Sequence, residues 1–419
     1  MEVTKKRWLL LAVGTAVMFF AGIIYGWSIL KAPLQEEFAW SASQLAFNFT
    51  LTMCMFCIGG IVSGVSLARV NLQVLLTAAG VLTFTGFFLA AGVQAESLVR
   101  LYLSYGILAG LGIGIGYNAI ISVINEWFPD KKGTSSGILM MSFGASALIF
   151  GNIANWLINS PVGWRTTFQI LGTLTGGTLL LAAAFMKHLS KEDKLVIVGT
   201  SAAGGETEAD SWALALECQS NGAAASKTDY TPLEMVKHPV FLRFFLFLIL
   251  ACAVGNSTIS MARDVAVFVG ATPGMAAFLA GVLSLCNGCG RLLAGMLFDR
   301  FGCRVTMTVD GIITIIAPIV MLAAIASHSV VICGAGLCLT GLSYSFQPPV
   351  TSSVVASFYG TKHFSINYSI ANLMMIPTSF VATVAGTLYT GTGSYFAPFV
   401  LLLLFSIISF ILNLCIRQA

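Results

Sequence analysis

Charge is scarce in this chain. Only 9% of its 419 residues are Asp, Glu, Lys or Arg, four are His, and 57% are hydrophobic. A soluble domain carries about 25% charged residues, because water must solvate its surface. So little charge excludes a water-facing globule. The net charge of +4 lies mainly in loops, so it reports orientation, not a nucleic-acid partner. The histidines, His188, His238, His328 and His363, stand at the ends of apolar stretches or between them, and no nucleophile has a base at workable spacing. Neither an enzyme nor a cofactor is expected. Most of the ten cysteines, Cys54, Cys57, Cys252, Cys286, Cys289, Cys333 and Cys338 among them, lie in apolar stretches where a thiol packs as a small hydrophobe. Cys54 and Cys57 have C-x-x-C spacing without metal-site flanks, so no metal is expected either.

What is present is apolar length, repeated. Mean hydropathy is +0.89. A helix crossing about 30 Å of hydrocarbon needs about 20 apolar residues, since lipid offers no partner to a bare backbone N–H or C=O. The chain is read as an all-α membrane protein of twelve transmembrane helices, at 8–30, 44–68, 72–94, 98–127, 133–158, 164–186, 239–264, 272–297, 303–326, 329–356, 364–390 and 393–416. Lys5, Lys6 and Arg7 precede the first, which is too long for a signal peptide and lacks a clear cleavage site.

Positively charged loops are held on the cytoplasmic side. With both termini inside, sixteen of the 21 Lys and Arg fall in cytoplasmic segments and four outside, at Lys31, Arg100, Arg165 and Arg263. The remaining one, Arg291, lies within a span. The expected setting is therefore a cell membrane of the bacterial inner-membrane type, crossed many times, with cytoplasmic termini.

Residues 187–238 break the apolar pattern with Lys, Glu, Asp, Ser, Gly and Ala, as in the stretch from Gly199 to Asp210. That is the composition of a flexible linker. It divides the chain into a six-helix bundle at 1–186 and another at 239–419, an arrangement of two halves with a site between them near mid-membrane. Within the linker, Trp212 to Cys218 is expected to form a short helix and Tyr230 to Val236 an amphipathic lead into span 7. The linker is read as a tether, with a regulatory or docking element as the alternative.

Between spans 8 and 9 stands Gly295-Met-Leu-Phe-Asp299-Arg300-Phe-Gly302-Cys-Arg304. It resembles the loop signature of the major facilitator superfamily, which implies that Asp299, Arg300 and Arg304 belong to a cytoplasmic gate. The equivalent loop between spans 2 and 3, Gly64-Val-Ser-Leu-Ala68-Arg69-Val-Asn71, keeps Arg69 but replaces Asp by Ala68 and the second Gly by Asn71. The first-half latch is expected to be weaker. The segment Trp127-Phe128-Pro129-Asp130-Lys131-Lys132-Gly133 is similar to one in the oxalate:formate antiporter family, a bacterial relative of the monocarboxylate transporters. Tyr25-x-Trp27-Ser28, Tyr117, Asn287-Gly288-x-x-Arg291 and Ser343-Tyr344 agree with it. The resemblance implies a secondary transporter for a small organic anion working by alternating access.

One departure bears on the substrate. Oxalate carriers have a Lys in span 11 after an Asn-Tyr pair; here Asn367-Tyr368 is present but Met375 takes the Lys position, and no Lys or Arg occurs between Lys362 and Arg417. A doubly charged anion loses one counter-ion, which moves the expectation to a monocarboxylate such as formate, lactate or pyruvate.

Arg291 lies eight residues before Asp299, so about 12 Å inside its helix, too deep to snorkel. The sequence supplies no acid at a central position, with Asp310 and Glu126 read as near helix ends and Asp264 near the outer face. The substrate carboxylate is then the expected partner of the guanidinium fork. The alternative is an Arg291 satisfied by carbonyls and hydroxyls such as Ser284 or Tyr344. Asn287 is one turn before Arg291 on the same face. Proton-linked monocarboxylate symporters carry Asp at that place; Asn cannot titrate, which favours exchange or uniport over proton symport. The resemblance places Tyr25, Tyr117 and Tyr344 on cavity-lining spans, where a phenol adds a donor to an apolar wall. Asn118 and Asn372 are further polar candidates. The glycines from Gly106 to Gly116 lie in an apolar span and signify close helix packing, not a nucleotide loop. The expected partners are a small carboxylate and the bilayer, with the chain working as a monomer. A proton-coupled symporter and a non-transporting sensor signalling through the linker stand as alternatives.

Overall fold

The computed structural model describes residues 2–188, apart from 41 and 68, and residues 229–416. Most of the expected linker, with the segment Trp212 to Cys218, lies outside them. In the first half the spans are Glu2–Ala21, continued through a 3-10 segment Gly22–Gly26 into Trp27–Leu30; Ala42–Ser66; Leu72–Ala91; Leu98–Leu101 with a π-helical stretch Tyr102–Ala109 and Gly110–Trp127; Lys132–Ile158; and Gly163–Phe185. In the second half they are Pro239–Phe268, a long run Pro273–Ser327, Val330–Phe358, the pair Phe364–Asn372 and Met375–Thr392, and Phe396–Cys415.

The long run holds 55 residues, about 82 Å at 1.5 Å per residue and more than twice the hydrocarbon thickness. It cannot be one crossing. At Gly302 the backbone leaves the helical region, with φ 79 and ψ 177, so spans 8 and 9 meet in a turn that glycine alone adopts without strain. The eleven long apolar helices among the described residues thus make twelve spans.

Span 11 differs from the single helix expected. Pro377 has no N–H for the carbonyl one turn back, at Leu373, and three-residue bonds from Leu373, Met374 and Ile376 tighten the chain there. The break falls between Asn372 and Met375, as in transporters whose discontinuous helices line the site.

Val74, Val81 and Phe88, on one face of span 3, are exposed, as are Leu285 and Leu293 on span 8. In water this would be an aggregating surface; in a bilayer it is the solvated one. Inside the first half, Gly110 packs spans 2 and 4 so closely that a Cβ there would lie 2.7 Å from the Thr52 carbonyl oxygen.

The two halves meet at the end of the bundle that carries both chain termini, here called the terminal face. The apolar core of the first half runs on into Phe241, Val355, Tyr359, Phe364 and Tyr368 of the second. Towards the opposite face the second half packs on its own around Met261, Val265, Tyr395 and Phe399. Polar contacts stitch the joined end: Asn125 Nδ2 donates to Ser352 Oγ at 3.1 Å, and Ser369 Oγ donates to the Gly60 carbonyl at 2.7 Å. Ahead of span 7, a helix Pro232–Lys237 begins with Thr231 and Glu234 capping each other and buries Met235, while the Tyr230 ring packs edge-on against Tyr359.

Candidate functional site

Arg291 is 4% exposed. Its Nη1 donates to the Met140 carbonyl of span 5 at 2.7 Å, and its Nε is buried with no hydrogen-bond partner. The partner is thus a carbonyl of the other half; neither Ser284 nor Tyr344 bonds it. Helical spacing explains why Met140 is available. Its carbonyl has a second lone pair, and Gly144, one turn on, has no side chain to cover it. A Cβ on Gly144 would lie 3.1 Å from both Cζ and Nη1 of Arg291. Any larger residue at 144 would compete with the guanidinium for space.

Aromatic rings close round this charge. Phe143 packs edge-on against Tyr25 at 5.4 Å and Tyr117 at 5.0 Å between centroids, and Phe56 lies 5.0 Å from Tyr117. The Tyr117 and Tyr368 hydroxyls are 3.3 Å apart. Tyr25, Tyr117, Tyr344 and Tyr368 all stand within electrostatic reach of Arg291, and Tyr344 is fitted against Gly255 of span 7. Three of these four were expected. Tyr368 was noted only as half of the Asn-Tyr pair, although it precedes the break in span 11.

Asn287 is half-buried, and its Oδ1 is buried with no hydrogen-bond partner. With the Arg291 Nε, it makes an acceptor and a donor, both unsatisfied, one turn apart on span 8. Asn372 sits at the break, its side chain within hydrogen-bonding reach of the Tyr368 phenol. Asn118 lies elsewhere. Its Nδ2 donates to the carbonyls of Gly60 at 3.0 Å and Ser365 at 3.1 Å and to Ser365 Oγ at 2.7 Å, which places it in the seam between halves.

At the terminal face Asp299 reaches across the seam to the start of span 5. Its Oδ1 accepts from Gly133 N at 2.9 Å; its Oδ2 accepts from Thr134 N at 2.7 Å and from the Thr134 hydroxyl at 2.5 Å. A carboxylate there satisfies orphan helix donors and sits at the positive end of the dipole. Arg300 lies 5.3 Å from the Phe301 ring, and Arg304 and Arg69 are exposed. Among the described residues none of the three forms an ion pair. Arg69 borders a pocket of about 260 Å³ with Glu126, His188, Lys362 and His363. His188 Nδ1 lies 3.0 Å from the Glu126 carboxylate, and that hydrogen bond holds the imidazole's pKa above its ordinary value.

Asp310 corrects the sequence reading. It is no helix-end residue, for it lies eight residues beyond Gly302, about 12 Å along its helix, and is 2% exposed. Its carboxyl accepts from Gln347 Nε2 at 2.5 Å.

A sequence model of the Major Facilitator Superfamily matches residues 10–266. An uncharacterised MFS-type transporter of Escherichia coli, YhjX, is 29% identical over 371 residues, covering 88% of this chain and 85% of that one. Monocarboxylate transporter 12 of Mus musculus is 27% identical over 388 residues, 89% of this chain and 77% of its own. The oxalate:formate antiporter of Oxalobacter formigenes is 25% identical over 179 residues, 42% of each. Among solved structures, the proton:xylose symporter XylE superposes with a TM-score of 0.75 at 15% identity, covering 98% of this chain and 94% of XylE. FucP in its outward conformation gives 0.65 at 16%, covering 99% and 100%. By its sequence and its twelve-helix architecture the chain belongs to the major facilitator superfamily of membrane transporters.

Proposed function

We propose that this chain carries a small monocarboxylate, of the formate, lactate or pyruvate type, across a cell membrane by alternating access, with Arg291 as the anion's partner. The observation that supports this reading is the state of that guanidinium: buried at mid-membrane, bonded to one carbonyl and left with an unpaired Nε. A buried arginine with no carboxylate costs several kcal/mol unless an anion completes it. A carboxylate supplies two parallel acceptors that match the fork. In this reading the phenols of Tyr25, Tyr344 and Tyr368 donate to it, and Met375 in place of a second cation suits one negative charge over two. Asn287 takes no proton, so the arginine pocket by itself performs exchange or uniport.

The Lys and Arg count assigns the terminal face to the cytoplasm. The joined end is then the closed cytoplasmic gate, with Asp299 as its latch. Such a cycle needs one bundle of each kind, so a monomer suffices.

Counterflow of labelled lactate or formate in proteoliposomes tests this. Losing a charge-assisted bidentate pair of about 2–3 kcal/mol is expected to lower Arg291→Ala exchange by about a hundredfold. Arg291→Lys, which keeps charge but not the fork, is expected to fall between. Exchange at the normal rate in Arg291→Ala would rule the proposal out.

A further inference from the structure

We infer that Asp310 and Gln347 form a second site, one that takes a proton, and that one proton enters there with each anion bound at Arg291. The inference rests on the carrier reading above and adds the energy source that Asn287 cannot supply.

The geometry begins with burial. Asp310 is 2% and Gln347 1% exposed, and no cation stands beside the carboxyl among the described residues. Thr314 and Ser343 hydroxyls, 2.5 Å apart, complete its polar surroundings on spans 9 and 10. On span 7 the titratable neighbour is the buried thiol of Cys252; Arg243, Arg263 and Asp264 of that span are exposed. Span 10 carries no charged residue, and neither does Phe396–Cys415 of span 12. On span 8 the buried charge is Arg291, with Asp299 and Arg300 at its terminal end. An ionised Asp310 is therefore a lone buried anion, which low-dielectric surroundings penalise heavily.

Gln347 suits both protonation states. To a carboxylate it gives one hydrogen bond through Nε2, and its Oε1 is then buried with no partner. When the carboxyl is protonated, the acid O–H donates to Oε1 while Nε2 donates to the other carboxyl oxygen, closing a ring with no atom unsatisfied. Glutamine is the side chain that offers both a donor and an acceptor at this place. A structural hydrogen bond to a permanently charged aspartate would not require the second.

Charge balance couples this site to the first. An empty carrier with Arg291 charged and Asp310 ionised is neutral within the membrane. So is a loaded one, with the anion on Arg291 and the proton on Asp310. Either ligand alone leaves a net buried charge. Binding the anion cancels the positive potential that opposes protonation, and by linkage the proton raises anion affinity by the same factor. The two sites share a backbone. Tyr344 and Gln347 are three residues apart on span 10, followed by Pro348 and Pro349, whose missing N–H groups free the carbonyls of Tyr344 and Ser345 and make this stretch able to bend.

The test separates exchange from net uptake in proteoliposomes with lactate and formate as probes, against protein-free vesicles. A one-unit pH gradient, acid outside, is expected to concentrate the anion about tenfold in the wild type, the limit for one proton per anion. Asp310→Asn is expected to abolish that accumulation while keeping counterflow at equal pH within about twofold, because exchange moves no net proton. Accumulation surviving in Asp310→Asn, or absent from a wild type that exchanges normally, overturns the inference and leaves the carrier reading intact. Loss of counterflow in the wild type itself overturns the carrier reading. A substrate-free measurement guards against a misfolded variant: infrared spectra of the purified wild type should show a protonated buried carboxyl that titrates, missing from Asp310→Asn and from Asp310→Ser. A band unchanged in both overturns the assignment.

Discussion

The two loops related by the internal repeat hold the halves together by different physics. On one side of the seam Asp299 crosses over and caps the first turn of span 5 with three hydrogen bonds. On the other, Asn71, which stands where the signature has its second glycine, caps the helix that follows it, accepting from Gln73 N at 3.1 Å. Among the described residues no charged side chain of that loop forms an ion pair across the seam. Instead Gly64 lets span 2 lie against the backbone of Ile366 in span 11, and Asn118 and Ser369 supply neutral hydrogen bonds. One latch is electrostatic and local; the other is steric and spread along a helix pair. The sequence expectation of a weaker first-half latch counted the missing aspartate and could not count this contact.

The steric side should be the more sensitive. A Cβ on Gly64 would lie 2.6 Å from Ile366 Cα and 2.7 Å from its N, and backbone cannot step aside as a side chain can. Overpacking of this kind costs about 1–3 kcal/mol, so Gly64→Val is expected to shift the population from closed to open at the terminal face by about tenfold or more. Spin labels on exposed Lys131 and Val305, with the exposed Cys289 and Cys415 replaced, would register a longer distance. An unchanged distance would mean the seam is not held by this packing.

Removing the electrostatic latch is expected to do less. Loss of a capping carboxylate costs about 1 kcal/mol, so Asp299→Ala should shift the same equilibrium about fivefold. Asp299→Asn, which keeps an acceptor but loses the charge facing the helix dipole, should fall between. If Asp299→Ala opens the seam more than Gly64→Val, the ranking of the two latches is reversed.

Sequence alone carried much of this. The spans were legible because each crossing needs an unbroken apolar run, and Gly302 because a turn with positive φ selects glycine. Arg291 stood out as the single basic residue left over from the loop count. Asn118 was grouped with the site because it is a polar residue within an apolar span. Successive helix residues, however, point about 100° apart, and it turns to the seam. Tyr368 was hidden by the break that Pro377 imposes on span 11. Asp310 was misjudged because its distance from the boundary of a span says little about depth when the turn before it is as tight as that at Gly302.

The arginines of the second-half loop offer the finest test of the comparison. The loop signature implies that Arg300 and Arg304 belong to the gate, yet both are exposed, and among the described residues Arg300 meets the ring of its neighbour Phe301 and forms no ion pair. Exposed charges without a partner contribute about 0–0.5 kcal/mol in water, and less in salt. If the latch is the Asp299 cap alone, Arg304→Gln should leave the Lys131–Val305 label distance and the counterflow rate within about twofold. A fall as large as that of Asp299→Ala would show that the arginine acts in the opposite, inward-open state, where it would meet an acid it does not touch here. Measuring both variants at low and high salt separates the two cases, since an ion pair between exposed side chains formed on opening is screened, whereas the short hydrogen bonds that Asp299 accepts from Gly133 and Thr134 are weakened less.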